Sequence, residues 1–161
     1  EEIEANLKHE TEYKLAADLK KLVIDKCGFD LPEEFLKKWL LRVNDKTTED
    51  QINTEFISFR EDLKWQLIRN KAAKQNNVKI TEEELLAEAE NITRYQFMQY
   101  GLYYATDEQV GNYAKEMLKR EEEAKRIADR ILENKVIRVL KEMVKIEEKK
   151  VQADEFNKLF S

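Results

Sequence analysis

The stretch TTEDQINTEFISFREDLKWQLIRNKAAKQNN runs from Thr47 to Asn77. Thr48 with Gln51 three residues on is a capping box, in which a hydroxyl accepts from a free backbone N–H and the amide side chain reaches back. It predicts a helix that opens at Thr48 and runs to about Asn76. At 100° per residue counted from Ile52, the positions Ile52, Phe56, Phe59, Leu63 and Leu67 fall between about −20° and 60°. Ile57, Trp65, Ile68 and Ala72 fall between about 140° and 220°. A surface helix carries one apolar face. A helix with two opposed faces is either sandwiched between neighbours or keeps one face for a partner, and for Ile57, Trp65 and Ile68 both readings stay open.

The same signals repeat on either side. Residues 2–27 read as one helix, polar in its first half and apolar in its second, stopped by Gly28. In DLPEEFLKKWLLRV, Pro32 suits a first helical turn and Glu33 and Glu34 suit its positive end. Phe35, Leu36, Trp39, Leu40 and Val43 then recur at spacings of one, three and four. Trp39 and Val43 are open to the same choice between core and partner. After the link NNVKI, Thr81 with Glu84 forms a second capping box, and the helix it opens carries Leu85, Ala89 and Ile92 on one stripe. Thr106 with Gln109 forms a third, opening a helix predicted to run unbroken from Asp107 to about Met143. At 1.5 Å per residue that helix is roughly 55 Å long, more than a compact domain needs. A second extended link, about 145–151, precedes a short terminal helix DEFNKLF over 154–160. The expected architecture is all-α: a single elongated multi-helix domain, 1–161, of two helical hairpins attached to a long first helix.

Composition agrees. With three glycines and one proline in 161 residues there is little material for tight hairpins, which argues against an all-β or dinucleotide-binding fold. Charged residues make up 39% of the chain against 42% hydrophobic, a mix suited to long helices with much solvated surface. The formal net charge is −5, and the basic residues are interleaved with acids, as in KREEEAKR from Lys119 to Arg126. That is a solvated face with i,i+4 pairs rather than a basic stripe, so no direct nucleic-acid partner is expected. Cys27 is the only cysteine, so no internal disulfide forms, consistent with a cytoplasmic location. No apolar run is long enough to span a membrane. The chain opens on Glu1 already in a helical pattern and is expected to be a piece of a longer protein.

Chemistry-bearing groups are sparse. His9 is the only histidine and lies in the polar half of the first helix, the setting of a solvated spectator. One histidine cannot supply the paired Glu-x-x-His motifs of di-iron bundles. Cys27 has no cysteine partner for zinc, and there is no glycine-rich phosphate loop. Catalysis, metals and cofactors are not expected of this chain.

Aromatic residues, in contrast, are concentrated. YQFMQYGLYY, Tyr95 to Tyr104, holds five of the fifteen Phe, Trp and Tyr residues and no charge. Over the last helical turn Tyr95, Phe97, Met98 and Tyr100 point in four directions, and Gly101 ends the helix in a left-handed conformation that a Cβ would penalise. Tyr100 and Tyr113 suit a packed hairpin tip, where the ring buries area and the hydroxyl stays wet. A two-helix tip has too few partners for all seven apolar side chains of the stretch. The surplus predicts an exposed apolar patch, the mark of an interaction surface, with Met98 adaptable to many partners.

The order of these elements resembles the C-terminal domain of trigger factor, the bacterial chaperone that meets new chains at the ribosome exit. The resemblance is carried by FDLPEEFLKKWLL, by EDLKWQLIRNKAAKQNNVKITEEELLAEAENI, and by the closing VLKEMVKIEEKKVQADEFNKL, and it extends over essentially the whole chain. It implies an elongated all-helical domain whose two arms, here 31–77 and 81–143, cradle unfolded or nascent polypeptides. It also implies that ribosome docking and prolyl isomerase activity belong to parts of the full-length protein that this chain lacks. On this basis the expected client-contacting residues are Trp39, Val43 and Trp65 on the first arm. On the second they are Phe97, Met98, Tyr100, Tyr103, Tyr104, Val110 and Tyr113. The implied activity is an ATP-independent holdase. The rival is a structural or adaptor protein, or a periplasmic foldase-type chaperone, that uses the same patches for one dedicated partner. Pairing of two copies is compatible with either.

Overall fold

A computed structural model describes residues 2–43, 47–149, 151 and 156. Among these residues the chain forms six helices and no strand: α1 (Glu2–Cys27), α2 (Glu33–Val43), α3 (Glu49–Gln75), α4 (Glu82–Gln99), α5 (Asp107–Leu118) and α6 (Glu121–Met143). The all-α class is as expected, and the local signals explain the ends. The Thr48 amide donates to Gln51 Oε1 at 2.9 Å while the Gln51 amide donates to Thr48 Oγ1 at 3.3 Å, a closed capping box. Thr81 with Glu84 and Thr106 with Gln109 do the same for α4 and α5. At the other end of α3 the chain turns on Asn77, which takes a left-handed φ of 51°. There Val78 N–H reaches the Ala73 carbonyl at 2.9 Å and Asn77 N–H the Lys74 carbonyl at 3.4 Å. This is a Schellman closure, with asparagine in the place usually held by glycine. The predicted terminal helix, 154–160, lies outside the described residues apart from Phe156.

One prediction needs correction. The helix expected to run from Asp107 to Met143 is two helices, broken at Lys119 and Arg120. The Arg120 amide bonds back three residues to the Met117 carbonyl at 3.2 Å, and the Arg120 carbonyl starts the next helix by accepting from Ala124 at 3.0 Å. No glycine or proline marks the place; the reason is packing. In an unbroken helix Ile127 would sit about 100° around the axis from Val110. The break turns Ile127 and Ile131 into the core, while Ala124 and Ala128 are only half-buried. Glu121, Glu122 and Glu123 then suit the positive end of the new helix.

The chain forms two compact units, Glu1–Lys71 with Leu140–Ser161, and Ala72–Val139. In the first, Leu19, Ile52, Phe56, Trp65 and Ile68 are buried. The two apolar faces of α3 are used in turn. Its first half buries Ile52 and Phe56 from one face, and its second half buries Trp65 and Ile68 from the other. The neighbours differ accordingly. Near the start, Lys37 of α2 lies 4.9 Å from the Phe56 ring centre and donates to Asn53 at 3.1 Å, and Arg60 pairs with Glu33 at 2.7 Å. Further along, Lys20 of α1 lies 5.4 Å from the Trp65 ring centre. Ile57 and Leu67, on the face not in use at each level, are exposed.

In the second unit α4 and α5 form an antiparallel hairpin, with Arg94 near the end of α4 paired to Asp107 at the start of α5 at 2.9 Å. The core gathers Ala89 of α4, Ala114 and Met117 of α5, and Ile127 and Ile131 of α6, flanked by Ile80, Leu85, Leu86, Ile92 and Leu118. Small residues set the approach of the hairpin helices: Ala89 and Ala114 are fully buried. Lys135 of α6 fastens the start of α4. Its Nζ donates to the Lys79 carbonyl at 2.6 Å and pairs with Glu84, the acid of the capping box.

Candidate functional site

The hairpin tip is built by two stops placed five residues apart. At the end of α4, Gly101 N–H meets the Met98 carbonyl at 3.0 Å and Leu102 N–H meets the Phe97 carbonyl at 2.8 Å, with Gly101 at φ 74°. This Schellman closure satisfies the last carbonyls and turns the chain out. Five residues later Thr106 caps α5. The segment between them is bounded by helix ends at both sides, and Ala105 is its one half-buried residue.

The packed layers of the hairpin end just below. Thr93 and Val110 are almost fully enclosed, and Thr93 Oγ1 donates to the Ala89 carbonyl at 2.8 Å. Above them one aromatic pair remains, Phe97 edge-on to Tyr113 with ring centres 5.4 Å apart. Everything beyond faces water. Tyr95, Met98, Tyr100, Leu102 and Tyr103 are exposed, and Tyr104 is 96% exposed. No charged residue occurs from Tyr95 to Thr106. The nearest charges below, Arg94 and Asp107, are paired with each other. From Tyr95 to Thr106 the tip is therefore an apolar and hydroxyl-bearing surface without charged side chains of its own.

The ten residues singled out from the sequence divide three ways. Met98, Tyr100, Tyr103, Tyr104 and Tyr113 are exposed together at the tip, with Phe97 half-buried against Tyr113. Trp39 and Val43 are exposed on α2, in the other unit. Val110 and Trp65, at 1% and 8% exposure, are core side chains. Val110 fills the last layer under the tip, and Trp65 is turned inward by the face switch of α3. Exposed apolar residues outside the ten include neighbours of these patches. Tyr95 and Leu102 belong to the aromatic stretch itself, and Phe35 stands four residues before Trp39, a helical spacing that could have flagged it.

Titrating groups with displaced pKa values lie elsewhere and are structural. Glu84 is held below the usual carboxylate range by Lys135 and by the Thr81 amide. Glu83 is lowered by its hydrogen bond with Thr81, and Glu12 by Lys141, to which it is ion-paired. None of them is at the tip. Among the described residues no group of three or more His, Cys, Asp or Glu is gathered as a metal site, and no helix is long and apolar enough to cross a membrane.

The family model described as "Probable trigger factor, C-terminal domain" matches residues 11–160. The chain belongs to this family, whose C-terminal domain is the chaperone part of trigger factor and not its isomerase domain. Membership supports a chaperone-related role, with binding of nascent or unfolded polypeptides as its general form. No curated protein and no solved structure gives a match.

Proposed function

We propose that this chain is the client-binding part of an ATP-independent holdase, acting in the cytoplasm as part of a ribosome-associated trigger factor. The observation that carries this reading is the tip between Tyr95 and Tyr104: apolar, uncharged and exposed on a chain that is otherwise densely charged. Burial of apolar area stabilises a complex by roughly 25 cal/mol per Å². Association itself costs several kcal/mol, so one tip holds a client weakly and releases it without nucleotide. Met98 and the tyrosines adapt to varied side chains, and the tyrosine hydroxyls pair with an unfolded client's backbone.

The test is suppression of aggregation. An unrelated denatured enzyme is diluted into buffer with and without the chain, and light scattering is followed in the absence of ATP. Scattering should fall in proportion to the chain added, and ATP should change nothing. Unchanged scattering at a several-fold excess of chain would refute the holdase reading.

A further inference from the structure

The surface of α2 differs from the tip. No residue of α2 is buried. Its contacts with α3 run through Glu33, which pairs with Arg60, and through Lys37, which bonds Asn53 and lies against Phe56. On the opposite side Phe35, Trp39 and Val43 are 64%, 46% and 52% exposed. Their spacing of four stacks them into one ridge about 12 Å long. Lys38 and Arg42, three residues after Phe35 and Trp39, flank the ridge on one side. Both are exposed, and neither makes an ion pair with any described residue. In a chain whose net charge is −5, this face joins an exposed apolar ridge to a flanking row of one acid, Glu34, and two bases that pair with no described residue.

We infer that the outer face of α2 is a docking site for an acidic amphipathic helix of another polypeptide. A straight i, i+4, i+8 ridge fits the groove between the rows of a second helix laid alongside it. Acids beside that partner's apolar stripe meet Lys38 and Arg42, which fixes its orientation and discriminates against basic segments. The tip has no such cations, so the two surfaces take different ligands: the tip neutral unfolded segments, α2 a charged helix. This inference stands on α2 alone and does not depend on the holdase reading.

The probes are two 18-residue helical peptides with the same leucine and phenylalanine stripe, flanked by glutamates in one and by lysines in the other. Each is titrated into the full chain by NMR. The acidic peptide should shift the amides of 35–43 and the Trp39 indole, leave 95–104 still, and weaken as salt is raised. The K38E/R42E double variant should bind the acidic peptide at least about ten-fold more weakly and the basic peptide more tightly. Both substituted positions are exposed, so the melting temperature should fall by only a few degrees, from the acid placed at the end of α2 and beside Glu34. A W39S variant, also at an exposed position, should lose both peptides. Equal binding of the two peptides, no binding of either, or indifference to charge reversal would overturn the inference. So would shifts confined to the tip. Movement of the α2 signals with the chain's own concentration, without peptide, would assign the face to a second copy and overturn it as well. Failure here leaves the tip's binding of unfolded chains intact, so the two readings fail separately.

Discussion

Replacing Tyr100, Tyr103 and Tyr104 together by serine separates binding from folding. The three side chains are 82%, 71% and 96% exposed, so the folded state gains almost nothing from them. Surface changes of this kind alter stability by about 0.5 kcal/mol or less each. A client that covers one face of a ring buries on the order of 100 Å², half of what a tyrosine offers. At about 25 cal/mol per Å² each ring is then worth roughly 2.5 kcal/mol. Contributions of neighbouring rings are not additive, and part is lost in ordering them, so the sum is an upper bound. A loss of about 3 kcal/mol, some 100-fold in affinity, is a conservative expectation. Fluorescence anisotropy of a labelled, permanently unfolded polypeptide measures the affinity, and a thermal melt measures the fold. The triple variant should melt within about 5 °C of the parent and bind at least about 100-fold more weakly. Affinity within three-fold of the parent would refute the reasoning. A drop of many degrees in the melt would show the rings to be core.

Three further outcomes follow from the same structure. Gly101→Ala should destabilise by about 1 kcal/mol through its φ of 74° alone, since a Cβ there meets nothing within 4 Å. Gly111→Ala, inside α5 with only a flexible Glu90 oxygen at 3.4 Å, should stabilise by about 0.5–1 kcal/mol; urea melts that give both variants the same sign would contradict this. Glu12, Glu83 and Glu84 have pKa values lowered by folding, so their contribution is full above about pH 4.3 and disappears as pH falls through the lowered values. Lys135→Met removes the main cause at Glu84 and should flatten the acid side of a melting-temperature profile, which would otherwise fall with the parent's slope. Trp39 is exposed and Trp65 buried, so Trp39→Phe should shift fluorescence emission to the blue and Trp65→Phe to the red; the opposite pattern would reverse the placement of the two indoles.

What the sequence disclosed depended on range. The capping boxes at Thr48, Thr81 and Thr106 and the turn at Gly101 are settled by residues three or four apart, and all four form as read. The break at Lys119 and Arg120 has no local signal, because it exists to bring Ile127 against α4 and α5. The two faces of α3 were legible, but their use in turn along one helix depends on where α1 and α2 pack. The same holds at single positions. That the aromatic stretch exceeds what a hairpin tip can bury follows from counting side chains. Which residue goes inside, as Val110 does and Tyr104 does not, follows only from where the last packed layer ends.

The most direct test of a client surface at the tip is an NMR titration of the chain with two unrelated, permanently unfolded polypeptides, followed residue by residue. Both should shift the same signals, gathered at 95–104 and at Tyr113, with buried Val110 responding only through its neighbours. If neither polypeptide perturbs these residues at millimolar concentration, or each perturbs a different place, the tip is not a general client surface.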